Sequence, residues 1–319
     1  MFSRQDVVVI GEVFDVGVLK LVKVRELETL DISRTNFSWS AISSLSTAVK
    51  SSSLRNLNLA SLTGLETLGP LPAQELSAFE NLERLDLSDN SLTVDGLTPK
   101  ELHGLSKLSM LKHLDLSANN FGKQILRVLD ALPALKSLNL RYNEIGIEGP
   151  LSIKDLANLS RLEILDMGAN CLNGSISPYI EALSSAKAIS LSINNFNGDF
   201  PSQDLCRFKK LEEFDISYND FEASLNPTTI EYIDLSHNLF EGLFSFSSFT
   251  NPSKLKVVRI MSDNSKLVIE TENPVGWTPL FQLTALVLQN CNLNKLTGNI
   301  PKFLFDHTDW KKLISLTTS

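Results

Sequence analysis

The frame L-x-x-L-x-L-x-x-N-x-L constrains this chain more than any other feature. It reads LERLDLSDNSL over residues 82–92 and recurs almost from end to end. Close copies occupy residues 111–121 (LKHLDLSANNF), 135–145 (LKSLNLRYNEI), 162–172 (LEILDMGANCL), 211–221 (LEEFDISYNDF) and 230–240 (IEYIDLSHNLF). Looser copies start at Leu27, Leu54, Ala186, Leu255 and Leu283, which makes eleven frames. Their starts step by 27, 28, 29, 24, 27, 24, 25, 19, 25 and 28 residues. Within x-L-x-L-x the alternation has period two, so the leucines point inward and the residues between them outward on a short strand. One such coil cannot bury its leucines; only stacked coils can share them.

Nearly all these steps fall in the range of roughly 20–29 residues typical of leucine-rich repeats. The expected fold is therefore an α/β repeat, a leucine-rich-repeat solenoid. It would be a curved horseshoe with a parallel β-sheet on the concave face and short helices, 3-10 turns and β segments on the convex side. At roughly 1.5–3 kcal/mol per fully buried large aliphatic side chain, four to six inward residues per coil are ample to hold it. The expected boundaries are residues 1–26 as an N-terminal cap or degenerate repeat, 27–301 as the array, and 302–319 as a truncated end with no further frame.

The ninth position is Asn in seven frames: Asn90, Asn119, Asn143, Asn170, Asn194, Asn219 and Asn238. The chain leaves the strand there and turns backbone groups toward the core, and an amide side chain can both donate to them and accept from them. These asparagines are read as structural. The eleventh position is often Phe (Phe37, Phe121, Phe196, Phe221, Phe240), which predicts an aromatic column under the convex side. In the variable halves, residues 98–108 and 122–132 look helical, whereas 172–178, 196–201 and 296–301 carry L-x-G-x-I-P. Frames one and two have Thr35 and Leu62 in place of the ninth-position Asn. The step of 19 after Leu211 is short for a full coil, which suggests sequence missing around residues 222–229. Residues 262–277 break the pattern.

Composition excludes several functions. A net charge of −8 with scattered Lys and Arg argues against nucleic acid or an anionic membrane as partner. Cys171, Cys206 and Cys291 lie far apart without CxxC spacing, so neither zinc nor a disulfide framework is expected. The four histidines lack ligand spacing, and no metal or cofactor is expected. No run of about eighteen apolar residues is present, and the apolar N-terminus, interrupted by Glu12 and Asp15, lacks the order of a signal peptide.

At L-x-G-x-I-P plus LDLSxN the array resembles plant-specific leucine-rich repeats, in particular the ectodomains of plant receptor-like proteins. The stretch EYIDLSHNLFEGLFSFSSFTNPSKLKVV followed by IETENPVGWTPLFQLTALVLQNCNL is similar to the Cuscuta-receptor type. The resemblance covers roughly residues 27–305. It implies a partial ectodomain at the plasma membrane or outside the cell, binding a peptide, protein or glycan, with a receptor-kinase co-receptor. This chain carries neither the signal peptide nor the transmembrane helix of that family. A soluble inhibitor resembling polygalacturonase-inhibiting proteins and an intracellular repeat scaffold are the alternatives.

The outward strand positions are the expected binding surface. The eighth-position column runs Arg34, Ser61, Asp89, Ala118, Tyr142, Ala169, Ile193, Tyr218 and His237. From it and its surroundings come the candidate ligand-binding residues Arg141, Tyr142, Glu213, Tyr218, Tyr232 and His237, because Tyr and Arg concentrate binding energy when partly desolvated. Asn36, Asn158 and Asn173 head N-x-S/T sequons and are candidate glycosylation sites. Asp234, Ser236 and His237 invite a hydrolase reading. However, Asp and Ser recur at those frame positions where no His follows (Asp86 with Ser88, Asp115 with Ser117), so they belong to the repeat, and no catalytic residue is assigned.

Overall fold

The computed structural model describes residues 7–9, 27–38, 42, 53–63, 69–95, 97–98, 103–200, 208–222, 230–248, 254–263, 266–270, 281–293 and 312–317. The chain forms two compact units, Met1–Glu148 and Gly149–Ser319.

In the first unit each coil contributes one strand, always from the third to fifth frame positions. Thr29–Asp31, Asn56–Asn58, Arg84–Asp86, His113–Asp115 and Ser137–Asn139 pair in parallel, with equivalent frame positions opposite one another. Val7–Val9 adds a parallel strand beside Thr29–Asp31. In the second unit Ile164–Asp166, Ala188–Ser190, Glu213–Asp215 and Tyr232–Asp234 repeat the arrangement, and Val257–Met261 and Ala285–Gln289 extend it with longer strands.

Two differences from expectation lie at irregular places. Residues 302–319 were expected to hold no further frame, yet Lys312–Thr317 pairs in parallel with Ala285–Gln289. The sequence signal is weak because the register shifts between Val287 and Leu288, so the alternation slips. Residues 262–277 also contain a regular piece, since Leu267–Ile269 pairs on either side with Gly242–Phe244 and Asn292–Leu293. Across the short step, Glu213–Asp215 and Tyr232–Asp234 pair in the ordinary register; residues 223–229, where missing sequence was expected, lie outside the described residues.

The core is the set of frame leucines: Leu82, Leu85 and Leu87, like their counterparts in each described coil, are buried. Asn90, Asn119, Asn143, Asn194, Asn219 and Asn238 each tie two coils together. Asn119 Nδ2 donates to Leu116 O of its own coil and to Leu87 O of the coil before, while its Oδ1 accepts from the Asn90 and Leu92 N–H groups. Asn194 and Asn219 repeat the pattern in the second unit. Where Asn is absent the ladder adapts. Thr35 Oγ1 donates to Ile32 O, and the Cys291 thiol, 3.8 Å from Ile260 O, stands where the amide would be.

The aromatic column forms in the second unit. Phe196 and Phe221 stack at 6.1 Å, and Phe200 meets Phe221 and Phe240 edge-on. Phe37 is only half-buried. On the convex side, the segment expected to be helical at 122–132 forms Ile125–Val128 and a 3-10 turn, Leu129–Ala131. The L-x-G segments at 172–178 and 196–201 contribute Asn173–Gly174 and Asn195–Asp199 to a small three-stranded sheet that Asp220–Glu222 completes, while 296–301 lies outside the described residues. Gly174 and Gly198 have φ of 79° and 80°, the left-handed region where a Cβ is disfavoured. Among the described residues no helix is long and apolar enough to cross a membrane.

Candidate binding surface

Three frame positions build the outward surface of each strand and of the turn after it. The fifth-position Asp is first of all a turn residue. Asp86 Oδ1 accepts from both the N–H and the hydroxyl of Ser88, and Asp115 and Asp215 do the same for Ser117 and Ser217. This local side-chain-to-backbone bond ends the strand and explains the recurrent LDLS. The hydrolase reading fails on the same geometry. Asp234 accepts from the Ser236 N–H, Ser236 Oγ is fully buried, and His237 Nδ1 lies 2.7 Å from Asp263 instead of facing Asp234.

The eighth position corrects the expectation that its column lies on the strands. It sits three residues beyond each strand, in the left-handed region. Arg34, Ser61, Asp89, Ala118, Tyr142, Ala169, Ile193, Tyr218 and His237 have φ between 51° and 57°. Within each unit the column nevertheless stays in line, because N–H groups at this position reach the seventh-position carbonyl of the next coil. Examples are Asp89 N–H to Ser117 O, Ile193 N–H to Ser217 O and Tyr218 N–H to Ser236 O. Left-handed backbone costs a non-Gly residue roughly 1–2 kcal/mol, least for Asn and Asp and most for a β-branched side chain such as Ile193.

In the first unit the strands enclose a shallow groove of about 440 Å³, with Asn56, Arg84, Asp86, His113, Asp115 and Asn139 among its lining residues. The outward side chains are polar, and Leu30, Leu57, Leu85 and Leu114 line the groove between them. Asn58 donates to Asp31, Asn139 donates to Asp115, and burial followed by the Arg84 charge lowers the His113 pKa below its ordinary value. At its rim Glu83 bridges Arg55 and Lys112 at 2.6 and 2.8 Å, and Lys112 and then Arg55 hold its carboxyl below the usual range. None of these groove residues was among the candidates. The signal was present as an uninterrupted run of polar third positions, Thr29, Asn56, Arg84, His113 and Ser137.

In the second unit Glu213 and Tyr232 are cross-strand neighbours. The Tyr232 hydroxyl receives a bond from Arg259 and lies 3.4 Å from Asp234, whose Oδ2 pairs with Arg259 at 2.9 Å. Burial raises the Tyr232 pKa. Arg259 also escaped the candidate set, although an arginine at a position otherwise held by Asp, Asn or Ser is visible in the sequence. Tyr218 is half exposed and its ring stacks on His237 at 4.0 Å, 15° from parallel. Thus Glu213, Tyr218, Tyr232 and His237 share one unit, on two adjoining coils. Arg141 and Tyr142 belong to the other unit, where the guanidinium lies 5.0 Å over the tyrosine ring. Of the sequon asparagines, Asn36 is exposed and Asn158 half-buried, and Asn173 donates to Cys171 O. Among the described residues no group of His, Cys, Asp or Glu is placed to hold a metal. Burial pushes the Cys291 thiol up to about 11, so at neutral pH it is not a thiolate nucleophile.

The sequence matches two family models, both described as leucine-rich repeats, over residues 81–105 and over 107–129 and 132–153. Receptor-like protein 13 of Arabidopsis thaliana is 32% identical, aligned over 73% of this chain and 33% of its own length. Receptor-like protein 14 of the same plant is 31% identical over 91% of this chain and 32% of its own length. The chain thus spans about a third of the length of these relatives. Among solved structures, the internalin inlF of Listeria monocytogenes superimposes with a TM-score of 0.63 at 19% identity, covering 95% of this chain and 83% of that one. The ectodomain of the Arabidopsis receptor kinase HAESA, in complex with an IDA peptide hormone ligand, gives 0.55 at 19% identity over 84% and 44%. At these identities the likeness concerns the fold. The chain belongs to the leucine-rich-repeat proteins, and its relatives among them are the receptor-like proteins of plants.

Proposed function

We propose that this chain is a binding, non-enzymatic stretch of a plant cell-surface receptor-like protein. It would present its sheet faces outside the cell to a peptide, protein or glycan and signal through a receptor-kinase partner. The observation that carries this reading is a division of labour within the frame. The leucines, the ninth-position Asn and the Asp–Ser turn are consumed by scaffold contacts, whereas the third and eighth positions change chemistry from coil to coil and stay outward. Among the described residues the tempting catalytic constellation, Asp234, Ser236 and His237, is dismantled by its own hydrogen bonds.

Glu213, Tyr218, Tyr232 and His237 in the second unit, and Arg141 and Tyr142 in the first, are the proposed contact residues. The two faces are tested with a full chain carrying Glu213→Ser and Tyr142→Ser from this set and Arg84→Ser and His113→Ser from the groove of the first unit. Immobilised wild-type chain should retain a ligand from plant extracellular fluid that the quadruple variant does not, although both unfold cooperatively at similar temperatures. Equal retention by both would refute binding through these faces. Extracellular residence is tested separately by expressing the chain in plant cells behind a secretion leader. Asn36, the exposed sequon, should acquire a glycan that an amidase removes, and Asn36→Gln should abolish that mobility shift.

A further inference from the structure

Ile193 combines two unfavourable features. Its φ of 54° puts a β-branched side chain in the left-handed region, and 40% of its surface is exposed. Asn or Asp would relieve both, as Asp89 does at the same frame position of the first unit. Tyr218 on the next coil shares this conformation, with φ of 55° and 51% exposure. Its ring is backed by His237, which Asp263 anchors through Nδ1. The backbone ladder, Ile193 N–H to Ser217 O and Tyr218 N–H to Ser236 O, holds the three turns in line. An apolar–aromatic stripe is therefore kept in water, on a backbone that disfavours it.

The unpaired charge on the coil of Tyr218 beside this stripe is acidic, and the nearby cation of the same surface, Arg259, is paired with Asp234. On the coil of Tyr218, Glu213 precedes it on the strand and Asp220 follows two residues later; both are exposed and neither has an ion-pair partner among the described residues. Lys209 and Lys210 lie ahead of the strand, at the end away from Tyr218. Building on the proposal that the sheet faces bind, we infer that Ile193 and Tyr218 anchor one apolar side chain of a cationic peptide segment. Lys or Arg residues flanking that side chain pair with Glu213 and Asp220. Aromatic anchors beside complementary charge combine affinity with orientation.

The test uses the full chain and three synthetic probes: a tryptophan flanked on each side by Lys and Arg, the same peptide with Ser for Trp, and a tryptophan flanked by Glu and Asp. The cationic tryptophan probe should bind about tenfold more tightly than either control, and more weakly as salt rises. Ile193→Asn should weaken that binding about tenfold while raising the unfolding temperature, opposite signs that misfolding cannot produce. Tyr218→Asn should weaken binding at least as much. The assignment is overturned if neither variant changes affinity, if the acidic probe binds as well, or if no probe binds. Should His113→Ala alone release the cationic probe, binding through a sheet face survives and the Ile193–Tyr218 anchor is lost. Should none of the three variants matter to a probe that does bind, both readings fail.

Discussion

The two units use the same scaffold and present faces of different chemistry. In the first, third positions along successive coils are the polar Thr29, Asn56, Arg84, His113 and Ser137; they line a groove in which Asn56 donates to Thr29, and Asn58 and Asn139 donate to Asp31 and Asp115 beside them. In the second, the same position holds Ile164, Ala188, Glu213, Tyr232, Val257 and Ala285, and the turn column presents Ile193 and Tyr218. The leucines, asparagines and strand registers are equivalent in both. Because scaffold and face occupy different frame positions, one can change without the other, and the contrast reports what each unit contacts and not how it folds.

The sharpest way to break this comparison is to damage the shared scaffold equally in both units. Asn119→Ala strands the Asn90 and Leu92 N–H groups, leaving the Leu87 carbonyl only its bond from Asn90, and should cost about 3 kcal/mol by denaturant unfolding. Asn194→Ala should cost a similar amount; a large difference would mean that the two scaffolds are not equivalent. Arg259→Ala probes a feature confined to the second unit. It leaves the buried Asp234 carboxylate without its cationic partner, though still bonded by the Ser236 N–H, and should cost about 2 kcal/mol, tempered by the half-exposed guanidinium. In the first unit a neutral amide fills the equivalent place, Asn139 donating to Asp115.

Much of this was legible in the frame itself. Alternation placed each strand, and the polar duty of the ninth residue identified Asn119 and Asn194 as inter-coil ties. What the frame could not reveal is conformation within a fixed spacing. Nothing in the letters distinguishes an outward strand residue from a left-handed turn residue three places on, so the eighth column was assigned to the strands. Likewise, Lys312–Thr317 was missed because a register shift hides its alternation. The groove of the first unit is not legible from residue type, because it is defined by shape shared among ordinary side chains, Asn56, His113 and the inward leucines between them.

A smaller effect sharpens the correction at the eighth position. Ile193→Asn should stabilise the chain by about 1 kcal/mol, since Asn tolerates the left-handed region better than a β-branched residue. Tyr142→Asn, without β-branching, should gain less, and calorimetry of the two variants would rank them. The smallest effect concerns pH. Burial and Arg84 hold the His113 pKa below its ordinary 6.5, so the folded state resists protonation that the unfolded chain accepts. Its contribution to stability is complete above pH 6.5 and is lost as pH falls from there through the lower folded value. NMR titration should show Arg84→Ala raising the His113 pKa part of the way back, and burial accounting for the rest.

The most direct test of the separation between scaffold and face is thermal unfolding of two full-length variants side by side. One carries Arg84→Ser, His113→Ser, Glu213→Ser and Tyr142→Ser; the other carries only Asn119→Ala. The expected result is that four face substitutions shift Tm by no more than about 2 °C, while the single asparagine lowers it by about 6 °C or more. A quadruple variant that melts well below wild type, beside an Asn119→Ala chain that melts with it, would contradict the assignment of these positions.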